Sequence, residues 1–108
     1  HIRNDLEIGL VYSTSTEKVE QAVEMIRGIL EERTKPPRAF KPLVHFTRFD
    51  ESALVIDCSF WQSTTNYAES RENLQRVNLD ILDQFNEAGI EFAFKTITIM
   101  GGEQIDVD

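Results

Sequence analysis

The residues able to do chemistry in this chain are few, and their spacing brings none of them together. His45 lies in the run Leu43–Phe49 (LVHFTRF), with no Cys, His or Asp at metal-ligand spacing. A nucleophile needs a base and an orienting group in reach, so His45 reads as a structural or surface histidine. Cys58 alternates with Leu54, Ile56 and Phe60, which makes it a small core residue. Asp57 falls on the opposite face, where a lone carboxylate is normally solvated. Gly101-Gly102 has no following Lys-Ser/Thr and opens no helix, so it is not a phosphate cradle. His1 is terminal. The expectation is a non-enzymatic domain with no catalytic, cofactor-binding or metal-binding residues.

Composition narrows the partners. The chain has 108 residues, room for one domain with a real core, and 41% of them are hydrophobic. With 11 Lys+Arg against 19 Asp+Glu the net charge is −8. Nucleic-acid binding needs clustered positive charge, so no nucleic-acid partner is expected. An anionic membrane surface is disfavoured for the same reason. A single cysteine rules out an internal disulfide and a thiolate cluster and fits a reduced, cytoplasmic compartment. No apolar run approaches the roughly 20 residues of a membrane helix. The chain starts at His1 without Met, and reads as a fragment or processed product.

The positioning elements follow from periodicity. Residues 1–4 (HIRN) are polar and read as a linker from an upstream domain. Asp5–Tyr12 alternates, with Leu6, Ile8, Leu10 and Tyr12 on one face, and Gly9 marks a close backbone approach or bulge. Thr14 with Glu17 reads as a capping box. It opens a helix with Val19, Ala22, Val23, Ile26 and Leu30 on one stripe. Arg33–Lys41, with Pro36 and Pro37, is the break. Leu43–Phe49 alternates poorly. Ala53–Trp61 alternates well, with Leu54, Ile56, Cys58 and Phe60 one way and Val55, Asp57, Ser59 and Trp61 the other. Asp50-Glu51-Ser52 between them predicts an antiparallel hairpin.

The most organised stretch is Asn66–Met100. Its helix carries Leu74, Val77, Ile81, Phe85 and Ala88 on one stripe, widened by Tyr67 and Leu82, and Gly89 stands where a left-handed cap is wanted. Glu91–Ile99 reads as a fourth strand, and 101–108 as a flexible tail. The order β-α-β-β-α-β predicts an α+β, ferredoxin-like sandwich over 5–100: two helices on one face of a four-stranded antiparallel sheet, the other face open. Within the last strand Ile90, Phe92 and Phe94 share one parity, and Ile97 and Ile99 the other. The strand therefore bulges near Lys95–Thr96 or leaves the sheet to bury its other face elsewhere.

That fold hosts many functions. An RNA-recognition domain wants exposed aromatics in a basic strand, and a metal carrier wants paired cysteines. An acylphosphatase-like enzyme wants a glycine-rich loop where this chain has Ser13-Thr14-Ser15. An ACT-like small-molecule-binding regulatory domain of a soluble protein stays open as the alternative.

Three segments carry a family resemblance. Ile8–Val19 (IGLVYSTSTEKV) is similar to a strand with a Tyr-x-Thr turn leading into a helix. Leu54–Trp61 (LVIDCSFW) is similar to an aromatic-ended third strand. Gly89–Thr96 (GIEFAFKT) is similar to a Gly-Ile-x-Phe-(Ala/Pro)-Phe-Pro stretch, preceded by the helix with Asn78-Leu79 and Phe85. In order and spacing they resemble the cytoplasmic C-terminal α/β domain of the small-conductance mechanosensitive channel (MscS) family, over roughly residues 4–100. The chain departs from the pattern at Lys95, where the family has Pro, and at Ile97, near which it often has Gln.

The resemblance implies part of a cell inner-membrane channel that releases solutes on hypoosmotic shock. This domain would lie on the cytoplasmic side as an assembly or cage element, a homo-oligomer (heptamer) with itself. Absent upstream helices would join it to the membrane, and it would hold neither pore nor catalysis. Trp61, Lys95, Ile97 and Ile99, on the open face and past the parity switch, are the expected inter-subunit contacts, the equal alternative being that the tail or the first residues fold over Trp61, Ile97 and Ile99.

Overall fold

The computed structural model describes residues 2–34 and 40–93. Its elements are β1 (Ile2–Leu10), α1 (Thr16–Thr34), β2 (Leu43–Phe49), β3 (Leu54–Gln62) and α2 (Tyr67–Ala88). The described strands form a three-stranded antiparallel sheet in the order β1-β3-β2. Both outer strands run antiparallel to β3 and so parallel to each other. α1 makes the crossover, packing on β2 and β3.

Alternation decides which face is buried. Ile8 and Leu10 of β1, Val44 of β2 and Leu54, Ile56, Cys58 and Phe60 of β3 form one cluster with Val19, Ala22, Ile26, Ile29 and Leu30 of α1 and Val77, Ile81 and Phe85 of α2. Both helices therefore lie on the same sheet face. Each Val, Leu, Ile or Phe among them contributes about 1.5–3 kcal/mol on burial. Gly9 lies in close contact: a Cβ there would sit 3.1 Å from the Ala53 Cβ.

α2 begins and ends on capping groups. Asn66 is its N-cap, its side chain accepting from the Glu69 amide at 3.1 Å. Thr64 adds a hydroxyl bond to the Glu69 carboxylate. Gly89 closes the helix at φ 74°, in the left-handed region, and its N–H reaches the Asn86 and Phe85 carbonyls. The buried amide of Gln62 ties the start of α2 to the sheet. Its Nε2 donates to Asn4 Oδ1 (2.9 Å) and to the Ser70 carbonyl and hydroxyl (3.2 Å each), and its Oε1 accepts from Asn73 (3.0 Å). Unpaired, that amide would cost about 1–3 kcal/mol.

Several expectations need correction. Ile2, Arg3 and Asn4 are not a linker. They pair with Gln62, Trp61 and Phe60, because residues 60–62 continue β3 and supply a partner. The cap of α1 is Ser15, whose hydroxyl accepts from the Lys18 amide, while Thr14 Oγ1 donates to the Val11 carbonyl. α1 runs on to Thr34, past the expected break at Arg33. Tyr67 (71% exposed) and Leu82 (47%) do not widen the core stripe of α2. Of the expected fourth strand, residues 94–99 lie outside the described residues, as does the tail 101–108. Its first residues are described: Phe92 bridges Leu10, Val11 donates to the Glu91 carbonyl (3.2 Å), and Ala93 donates to the Gly9 carbonyl (2.9 Å).

Candidate functional site: the open sheet face

The sheet face away from the helices is polar, and its side chains are linked across strands. β1 places Arg3, Asp5 and Glu7 there at two-residue spacing, and β3 places Asp57, Ser59 and Trp61 opposite them. Glu7 and Asp57 face each other directly, a repulsive pairing unless a cation intervenes. Arg48 of β2 supplies it. Its Nη2 donates to Glu7 (2.9 Å) and its Nη1 to Asp57 (3.0 Å). The Thr47 hydroxyl also donates to Asp57. The carboxylate contacts hold the Arg48 guanidinium above its ordinary pKa, Glu7 having the larger effect.

Arg48 reaches this face because β2 bulges. In simple alternation Arg48 would share the side of Val44 and Phe46 and point at the helices. The register shifts between Phe46 and Arg48, so that Arg48 pairs with Val55 and Phe49 with Leu54. The same shift puts Phe46 and Phe49 on one side, where their rings meet edge-on at 5.3 Å. Phe49 is 73% exposed. Together with Tyr12, whose hydroxyl donates to the Asp50 carbonyl, they leave an apolar patch where β2 meets α1.

At the other end of this face the Asp5 carboxylate accepts from the Ser59 hydroxyl (2.7 Å) and from Arg3 Nε (3.1 Å). The Ser59 bond, followed by Arg3, holds its pKa below the ordinary value. Arg3 also stands over the Trp61 ring at 5.9 Å, and the Phe40 ring lies 6.0 Å from the indole. Trp61 is thus half-buried between neighbours of its own chain.

Of the contact residues expected from sequence, Trp61 lies on this face, while Lys95, Ile97 and Ile99 lie outside the described residues. His45 is exposed on β2, opposite Asp57 in register. Cys58 is buried against the helices, and burial, helped by the Asp57 charge, pushes its thiol up to about 12. It is therefore a poor nucleophile at neutral pH. No group of three or more His, Cys, Asp or Glu suited to holding a metal occurs among the described residues. The Arg48 cluster was missed because the bulge hides its side. The signal present was the two-residue spacing of Arg3, Asp5 and Glu7. The face is an exposed, charge-linked wall.

No described helix is long and apolar enough to cross a membrane. The sequence pattern of the family described as Mechanosensitive ion channel MscS, C-terminal, matches residues 4–92. The large-conductance mechanosensitive channel MscMJLR of Methanocaldococcus jannaschii is 34% identical over 96 residues, spanning 85% of this chain and 26% of the relative. The small-conductance channel MscMJ of the same organism is 31% identical, over 87% of this chain and 26% of the relative. An MscS family protein of Aquifex aeolicus is 30% identical over 92 residues, 85% of this chain and 25% of the relative. The chain thus spans about a quarter of the curated relatives it matches. In fold it is similar to MSL1 of Arabidopsis thaliana (TM-score 0.74, 16% identity, 86% of this chain and 34% of that one). It is also similar to the closed-state MscS of Helicobacter pylori (TM-score 0.64, 18% identity, 95% and 39%). The chain belongs to the MscS mechanosensitive ion channel family, as a C-terminal domain of that family.

Proposed function

We propose that this chain is the cytoplasmic assembly domain of an inner-membrane channel that releases solutes on hypoosmotic shock. It acts as a wall element of a homo-oligomeric cage, a heptamer, and contains neither pore nor catalytic centre. The match of the family pattern to residues 4–92 carries this reading. The relatives' greater length supports it, since it leaves room for a pore outside this segment. The fold is completed as a ferredoxin-like sandwich by Glu91–Ile99 as a fourth strand on the free edge of β1. The hydrogen bonds of Glu91 and Ala93 to Val11 and Gly9 support that strand.

Assembly runs through the end of that strand and the rim of the open face, with Trp61, Lys95, Ile97 and Ile99 as the contacts between subunits. The charge-linked wall around Arg48 stays in water, because ion pairs at its exposed positions contribute little and need no partner. The test uses the full-length protein in bacteria stripped of their own mechanosensitive channels. It should restore survival of osmotic downshock and give tension-gated currents in excised patches. A full-length protein that is soluble, forms a fixed dimer and binds a small molecule would instead establish the regulatory-domain alternative.

A further inference from the structure

We draw no further inference here: the strongest candidate, the exposed apolar patch of Tyr12, Phe46 and Phe49 where the outer edge of β2 meets α1, carries nothing because nothing in the structure shows what covers it.

Discussion

β3 meets its two neighbours in different ways. With β1 it pairs without interruption from Ile2↔Gln62 to Leu10↔Leu54. Leu6, Ile8, Leu10, Leu54, Ile56, Cys58 and Phe60 stay on the core side and Arg3, Asp5, Glu7, Asp57 and Ser59 on the open side, the exceptions being Asn4 and Gln62 on the first and Val55 and Trp61 on the second. With β2 the pairing slips between Phe46 and Arg48. On the regular side, position sorts most side chains into core or water, although Val55 is buried on the open-face parity. On the bulged side one extra residue re-sorts the rest of the strand. It sends Arg48 to the open face and leaves Phe46 and Phe49 at the rim. The regular pair therefore holds the fold, and the bulged pair shapes the surface.

The contrast can be broken most strongly on the regular side. Phe60 is fully buried, and Phe60→Ala should cost about 3–5 kcal/mol in denaturant unfolding. Phe49→Ala, at the bulged rim, should stay within about 0.5 kcal/mol. Comparable losses would erase the distinction. Next comes Gly9→Val, whose Cβ would press on Ala53 at 3.1 Å. It should cost about 1–3 kcal/mol by the same measurement.

Cys58 pairs with Leu6 on one side and Val44 on the other, and gives a pH signature of the shared core. Its thiol pKa is raised to about 12 from the ordinary 9.0. The folded state thus holds this proton more tightly than the unfolded chain. Its contribution is complete below pH 9.0 and fades as pH rises through about 12. The loss should amount to a few kcal/mol across that range, about 1.4 kcal/mol for each pH unit between 9.0 and about 12, and be absent from the Cys58→Ala protein. Urea melts at a series of alkaline pH values measure it. The smallest effect belongs to the bulge. Arg48→Met leaves Glu7 and Asp57 opposed, and should lose a small amount of stability at low salt. High salt should shrink the difference.

Sequence legibility divides along the same line. α2 was readable up to Gly89 because periodicity and a glycine stop are local properties, whereas residues 62–66 offered several possible N-caps and did not single out Asn66. β3 was readable because its alternation is strong, and its residues from Ile56 to Trp61 are buried or part-exposed as parity predicts, while Val55, expected on the open face, is buried. The poor alternation of LVHFTRF was visible, but not its cause. A bulge is settled by the partner strand, so Arg48 as the link between Glu7 and Asp57 could not be placed. The cap of α1 was placed one residue early because Thr14 and Ser15 both offer a hydroxyl, and only the backbone path decides which meets the Lys18 amide. Ile2–Asn4 were misjudged because their partners lie about 60 residues away. For the expected contact site, Trp61 could be assigned to the open face by parity. Its cover by Arg3 and Phe40 depends on a long-range approach that no local pattern encodes.

The central claim, assembly through Ile97 and Ile99, is tested most directly by native mass spectrometry of the full-length protein in detergent, beside its Ile97→Asp/Ile99→Asp variant. The account predicts a heptamer for the parent and smaller species for the variant, with the isolated domain carrying the same changes still folded by circular dichroism. A variant that remains as fully assembled as the parent would contradict it.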